Sequence, residues 1–368
     1  MRLIIMKTRM VFLGGYLGAG KTTLAYHLAK ALAKKELTVS VVMNDQGNVL
    51  VDTQFMKNAG VDVREVTGAC FCTKFDEFVK HARSLVNIGH EDVIIAEPIG
   101  TSTSILASVI SPLRSVYANE FSVAPLFVVV DSRRFLNERK DFEGPGLVQK
   151  HLIPLQQLHE AEIVVLSKQD LLTPEEKVQV KQAIQEMMPE AEILEFSSMD
   201  LTNLDKLVEI VLSERTTNRD APKVDQRIFS GEKAALGWYS TDIRVTSNGG
   251  RLDSYDLIMS LMKGISQEFE PENIAHVKVL VSSPQVSAKI SLVEDSIQVD
   301  GVKGGRFING EAEIVLNARV IAPPDKLKSG IEKVVEKELD RANIKVVNRE
   351  TACFIPRPDK PQHSMIKL

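Results

Sequence analysis

Short runs of apolar residues recur from the start of the chain to about residue 200, at Met10–Leu13, Thr38–Met43, Val93–Ala96, Ala124–Val130, Ile163–Leu166 and Ile193–Phe196. Stretches with helical character lie between them. Strands that are apolar on both faces and alternate with helices are the sequence form of a parallel sheet covered on each side. This part of the chain therefore reads as an α/β layered domain. Ligands of such sheets sit beyond the carboxyl ends of the strands, and each polar motif described below follows directly on one of these runs. The motifs are expected to share one edge. The pattern dissolves from Glu214 into Arg, Asn, Asp, Pro and Lys, which reads as a linker at 214–235 between domains at 1–213 and 236–368. The second domain has a strand at Trp238–Val245, a helix at Leu252–Phe269, strands at His276–Ser282, Val286–Val293 and Ala312–Ile321, and a helix at Asp325–Ala342. It reads as a smaller α+β domain, and the residues from Pro356 onward as loosely ordered.

Composition narrows the function classes. Hydrophobic residues make up 44% and charged residues 26%, with a net charge of -4, as in ordinary globular proteins. No run of Lys or Arg stands apart from acids, so no nucleic-acid partner is expected. The apolar run Leu3–Met6 is shorter than a signal-peptide core of about 7 residues. No stretch approaches the roughly 20 apolar residues that span a bilayer. The expectation is a soluble cytoplasmic protein with no membrane partner. Three cysteines in a long chain argue for reduced thiols rather than a disulfide framework.

Gly15-Tyr16-Leu17-Gly18-Ala19-Gly20-Lys21-Thr22 fits the phosphate-binding pattern G-x-x-x-x-G-K-[ST], between the strand Met10–Leu13 and a helical run from Thr23. Gly15, Gly18, Ala19 and Gly20 would turn their backbone N–H groups around phosphate oxygens, and the helix N-terminus adds its positive end. Lys21 is placed to bridge the β- and γ-phosphates and Thr22 to give its hydroxyl to Mg²⁺, while Thr23 can reach the α-phosphate. The deviant loops of MinD-like ATPases carry a second lysine where this chain has Tyr16, which argues against an ATPase of that kind. The fold class is then an α/β P-loop NTPase domain with a mostly parallel sheet, followed by the smaller α+β domain.

Ser167-Lys168-Gln169-Asp170, after Ile163–Leu166, is a variant of the [NT]-K-x-D guanine motif. An Asp170 carboxylate can accept from both N1–H and the exocyclic amine of guanine, a pair that adenine lacks, with the Lys168 stem over the ring. Ser167 replaces an amide that usually braces this loop, so looser specificity is expected. Ser197-Ser198, after Ile193–Phe196, sits where a further base-contacting loop is expected, with Ser198 as the candidate. Glu97-Pro98-Ile99-Gly100 follows another run; Glu97 can hold Mg²⁺ or its water, and Gly100 can offer an N–H to the γ-phosphate. Asn44-Asp45-Gln46-Gly47 adds a further acid, making Asp45 a candidate for orienting Mg²⁺ or the attacking water. Lys21, Asp45 and Glu97 are thus the catalytic candidates. Cys70-Phe71-Cys72 follows the stretch Val61–Val66; residues two apart in an extended segment face one side, and thiolates favour Zn²⁺ and other soft or borderline metals. Two ligands do not complete a tetrahedral site; Glu65, Thr73, Cys353, water or a partner are the candidates for the rest. Two buried apolar cysteines remain the alternative.

The order of these motifs resembles the CobW group of GTPases, related to the HypB and UreG metallochaperones, over most of residues 10–200. Gly15, Gly20, Lys21, Thr22, Glu97, Gly100, Lys168 and Asp170 fall on the family pattern, and the second domain is similar to the CobW carboxyl-terminal domain. The resemblance implies binding and slow hydrolysis of GTP with Mg²⁺, and Zn²⁺ or Co²⁺ at Cys70 and Cys72. It also implies delivery to a client metalloprotein, here with a corrinoid-related protein as a candidate client, and dimerisation around the nucleotide in some members. Two departures stand out. The chain has Ala69-Cys70-Phe71-Cys72-Thr73 where the family has Gly-Cys-x-Cys-Cys, and Asn44-Asp45-Gln46-Gly47 where it has Asn-Glu-Phe-Gly. A regulatory switch that acts on a client without metal is the alternative. A P-loop kinase is disfavoured by Lys168-Gln169-Asp170 and by the lack of an Arg-rich lid.

Overall fold

The computed structural model describes residues 7–45, 51–142, 151–356 and 359–365. The Leu3–Met6 run and the Gln46-Gly47 half of its motif lie outside the described residues. The chain forms two compact units, one of residues 1–46, 60–232 and 359–368, the other of residues 47–59 and 233–358. The polar stretch assigned as a linker belongs mostly to the first unit. There Thr217 N–H donates to Val123 O at 3.0 Å and the Arg219 guanidinium to Ala161 O at 3.0 Å. Side-chain polarity hid a segment that is held through backbone groups.

The first unit runs β1 (Thr8–Gly14), α1 (Lys21–Ala33), β2 (Val39–Asp45), β3 (Asp62–Thr67), α3 (Phe75–Ser84), β4 (Val93–Glu97), α4 (Ser111–Val116), β5 (Phe121–Val123), β6 (Phe127–Asp131), α5 (Ser132–Phe142), α6 (Leu152–Glu160), β7 (Ile163–Ser167), α7 (Pro174–Met187), β8 (Glu192–Glu195) and α8 (Leu204–Leu212). A helix α2 (Val51–Asn58) intervenes after β2 and is grouped with the second unit. The sheet order is β3-β2-β4-β1-β6-β7-β8, with β5 also on β1, and its pairings are parallel. Every residue of β1, β4 and β7 is buried, as strands covered on both faces require. β3 buries only Val63 and Val66 at the sheet edge and β5 is three residues long, so neither stands out as an apolar run. The strand order reverses at β1, which leaves a crevice beyond its carboxyl end where the sequence puts the glycine-rich loop.

The second unit contains α9 (Ser230–Ala235) in part, then β9 (Leu236–Asp253), α10 (Ser254–Glu268), β10 (Ile274–Ser282), β11 (Ser287–Val293), β12 (Ser296–Lys303), β13 (Phe307–Ile321), α11 (Pro324–Arg341) and β14 (Ile344–Phe354). Its antiparallel sheet has the order β12-β11-β10-β13-β9-β14. The period-two rule sorts its faces. Val277, Val279 and Val281 of β10 and Ile314 and Leu316 of β13 enter one core with Leu261, Ile265, Ile331 and Val335 of α10 and α11. The intervening positions face α2: Leu280 and Val315 bury Val51, and Asn317 Oδ1 accepts from Val51 N–H at 3.2 Å. Asp52 of α2 is buried against Lys278 and against Lys289 Nζ at 2.9 Å. Among the described residues no helix is long and apolar enough to cross a membrane.

Candidate functional site

The glycine-rich loop joins the buried strand β1 to the first turn of α1. Gly15, Gly18 and Gly20 take φ values of 130°, 75° and 95°, which side chains rarely tolerate. At Gly15 a Cβ would also run into the Val129 carbonyl of β6, so only glycine lets the loop leave the sheet here. Lys21 is buried and donates from Nζ to Tyr16 O at 3.0 Å, folding back over its own loop. Thr22 Oγ1 donates to Glu97 Oε1 at 2.9 Å, with both residues buried. A hydroxyl and a carboxylate adjoining at a phosphate loop are the donor set that suits Mg²⁺ and its water. Thr23 is half-buried in the same turn, and Asp45 is half-buried at the end of β2.

The β4 loop lies against the phosphate loop. A Cβ on Gly100 would come within 2.9 Å of the Leu17 backbone nitrogen, so the two loops touch backbone to backbone. Helix α6 fixes that loop from behind: Gln157 Nε2 donates to Gly100 O at 3.0 Å and to Ser102 O at 2.8 Å. Glu160, fully buried, accepts from Leu106 N–H at 3.3 Å and from Gln156 Nε2 at 3.1 Å. Burial pushes its carboxyl up to about 7, with the Gln156 side chain and the Leu106, Ile105 and Ser104 amides pulling the other way. The folded state therefore binds a proton more readily than the unfolded state between the ordinary glutamate value and about 7. Stability should fall as pH rises through that window, by of order 3 kcal/mol from this residue. Denaturation midpoints of wild type and Glu160→Gln at about pH 5 and about pH 8 check this; the variant should lose much of the slope.

The base-side loop is braced by its serine. Ser167 Oγ lies 2.7 Å from Ala19 O and 3.0 Å from Val130 O, so the hydroxyl bridges this loop, the phosphate loop and β6. Gln169 Nε2 adds a 2.8 Å bond to Ser132 Oγ. Ser167 thus braces the loop through its hydroxyl, and Gln169 adds a second tie. Lys168, at φ 58°, pairs with Asp131 at 2.6 Å, and Asp131 also accepts from the Arg133 and Arg134 amides at the start of α5. Asp170 Oδ1 accepts from the buried Ser197 hydroxyl at 2.8 Å, while Ser198, the residue expected at the base, is exposed. Ser197 therefore orients Asp170. Its signal in the sequence was only the Ser197-Ser198 pair.

Cys70 and Cys72 are not on an extended segment. They occupy a turn, closed by Thr73 N–H and Lys74 N–H on Cys70 O, that leads into α3. The turn brings the sulfurs together and they are joined as a disulfide, contrary to the expectation of reduced thiols for this pair. Two neighbours of the nucleotide-side motifs hold the turn. Asn44, at the end of β2 beside Asp45, donates to Val66 O at 2.8 Å and Ala69 O at 2.7 Å and accepts from Phe71 N–H at 2.8 Å. Ser102, two residues after Gly100, donates to Cys70 Sγ at 3.9 Å. Neither was assigned a role from sequence, although Asn44 stood in the motif. The third candidate metal donor is Asp359: one oxygen of it and both sulfurs lie within 4.8 Å of one another. Of the donors expected from sequence, Glu65 lies on β3 outside this group, and Cys353 lies on β14, donating to Pro324 O at 3.2 Å.

A family model of the CobW/HypB/UreG nucleotide-binding domain matches residues 9–195, just over half of the chain. The chain belongs to that family. Members similar to it include the zinc chaperone YeiR of Escherichia coli, 28% identical over 46% of this chain and 48% of that protein, and the zinc chaperone CobW of Pseudomonas aeruginosa, 27% identical over 58% of this chain and 64% of that protein. The chain thus aligns with about half to just under two thirds of the length of these relatives. Among solved structures, HypB from Helicobacter pylori in complex with nickel aligns at 18% identity over 58% of this chain and 92% of that one, with a TM-score of 0.43. Zn(II)-bound YjiA GTPase from E. coli aligns at 12% identity over 89% and 99%, with a TM-score of 0.36. The family match covers the residues that form the phosphate loop, the cysteine turn and the Lys168–Asp170 segment.

Proposed function

We propose that the chain is a slow GTPase whose nucleotide state governs a metal site at Cys70 and Cys72, from which Zn²⁺ or Co²⁺ passes to a client protein. The observation that carries this is the pair of ties from nucleotide-side loops to the cysteine turn. Asn44 beside Asp45 holds three backbone groups of the segment, and Ser102 beside Gly100 reaches Cys70 Sγ. A displacement of Asp45 or Gly100 on loss of the γ-phosphate would therefore move groups that fix the sulfurs. GTP with Mg²⁺ would supply the charge and the leaving group. Lys21 would hold the β- and γ-phosphates, Thr22 and Glu97 would hold the ion, and Asp170, oriented by Ser197, would read the guanine edge. Turnover is slow in this reading because no motif directs an arginine at the phosphates. Arg134 instead donates to Leu17 O at 2.9 Å and pairs with Glu138, bracing the loop.

The zinc-chaperone relatives support Zn²⁺ as the cargo, and a corrinoid-related client rests on the resemblance alone. Two thiolates suit either Zn²⁺ or Co²⁺, so the ion would bind the pair in its dithiol form. The disulfide favours the rival reading, a switch acting on its client without metal. Titration of the reduced protein with Zn²⁺, with and without GTP, on wild type and on Cys70→Ser/Cys72→Ser, separates the two. One ion per wild-type chain and none in the double variant are expected; equal stoichiometry in all four samples would overturn the chaperone reading.

A further inference from the structure

We propose that residues 359–365 are a strap that closes the metal site, with the Asp359 carboxylate standing in for the third thiolate that this chain lacks, so that in the reduced protein the bound ion holds the strap in place. The proposal rests on the metal reading above and adds the missing ligand and its regulation. The polar composition of this segment predicts a loose end, yet the structure lays it along the cysteine turn. Lys360 N–H donates to Thr73 Oγ1 at 3.2 Å and Gln362 N–H to Cys72 O at 2.8 Å. The Gln362 side chain accepts from Asp76 N–H at 3.0 Å and donates to Asp76 Oδ2 at 3.2 Å, at the start of α3. Further on, the His363 ring stands edge-on to Phe75 with centroids 4.9 Å apart, and Met365 N–H donates to Ala107 O at 2.9 Å.

These contacts set the register that brings Asp359 to the sulfurs. Tetrahedral Zn²⁺ with bonds of about 2.0–2.3 Å keeps its ligand atoms roughly 3.6 Å apart. Once the disulfide is reduced the two sulfurs part toward that spacing, and the Asp359 carboxylate, already within 4.8 Å of both, closes in to complete their side of the sphere. Two thiolates and a carboxylate carry three negative charges, which repel when reduced and empty and attract around a divalent ion. The hydrogen bonds therefore fix where the strap lies and the ion fixes whether it stays. Three protein ligands leave a fourth tetrahedral position open, as in zinc sites that exchange ligands rather than closed structural ones. A client donor could enter there, and withdrawal of Asp359 would leave the ion on two sulfurs.

The test uses the full chain, reduced, with Co²⁺ as a spectroscopic probe, Zn²⁺ competition for affinity, and hydrogen exchange across 359–365. In the wild type, Zn²⁺ should slow exchange in the strap. Asp359→Ala should weaken Zn²⁺ by at least about tenfold, the least that even an outer-shell partner of a metal ligand usually costs, alter the ligand-field bands of Co²⁺ while keeping the sulfur charge-transfer band, and abolish the exchange protection. Gln362→Ala should weaken Zn²⁺ less and leave the Co²⁺ spectrum as in wild type. Wild-type affinity, spectrum and protection in Asp359→Ala would overturn the strap while leaving the cysteine site standing. A reduced wild type that takes up no ion would overturn the metal reading itself.

Discussion

Lys21→Ala is expected to lower GTP turnover by about 10²–10³-fold, the loss usual when one preorganised donor to developing charge is removed. Its Nζ lies over the loop on Tyr16 O, in a buried position where an ammonium group meets little competing water. In the proposed function this lysine would hold the phosphates, and neither arginine at the start of α5 is free to replace it: Arg133 donates to Leu171 O and Arg134 to Leu17 O. Single-turnover hydrolysis of bound GTP measures the effect apart from binding. The fold should survive, since the loop path is set by the glycine conformations and by Ser167 on Ala19 O. Undiminished hydrolysis in Lys21→Ala would place the active centre elsewhere.

Asp52→Ala is expected to destabilise the second unit by about 3–5 kcal/mol, the range for breaking a buried ion pair from one side. Burial alone would raise the Asp52 carboxyl, but the Lys278 and Lys289 ammonium groups override it and hold the carboxyl well below the usual carboxylate range. A depressed folded value contributes stability that is complete above the unfolded pKa of about 3.9 and fades as pH falls below it. The difference between wild type and variant should accordingly shrink in acid. Trp238, the single tryptophan, is buried in β9, so its fluorescence during denaturation reports on this unit. An unchanged midpoint at neutral pH would show that α2 does not depend on Asp52 for its place on the sheet.

Asp52 also marks the limit of what the linear pattern conveys. Runs such as Val93–Ala96 and Ile163–Leu166 are legible because central parallel strands are buried on both faces. The phosphate loop is legible because its glycines and its lysine must stand at fixed spacing. β12 and β14 were not, because edge strands keep one face in solvent: most of β14 is exposed or half-buried and carries Lys, Asn, Arg and Glu. Residues 47–59 follow the first unit's second strand in the chain yet are grouped with the second unit. Nothing in an eight-residue helix signals that it packs on strands more than 200 residues away in sequence.

The candidate site divides in the same manner. Thr22 and Glu97, or Lys168 and Asp170, announce themselves because each is a chemical group placed after an apolar strand. Gln157 and Glu160 act on backbone or on another side chain, and a glutamine or a helical glutamate carries no mark of that task in sequence, while Ser197 showed only as one of a serine pair. Asp359 is the extreme case. It lies 287 positions beyond Cys72, in a segment whose composition suggests disorder, and only the hydrogen bonds of Lys360 and Gln362 bring it to the sulfurs.

On the proposed reading, nucleotide and metal sites are coupled through Asn44 and Ser102. The direct measurement is the Zn²⁺ dissociation constant of the reduced protein with GDP and with a non-hydrolysable GTP analogue, in wild type and in Asn44→Ala. Coupling between sites typically amounts to about 5–150-fold and is reciprocal, so a difference of at least about fivefold is predicted for wild type, with most of it lost in the variant. Equal Zn²⁺ affinity in the two nucleotide states of the wild type would show that the two sites are not coupled.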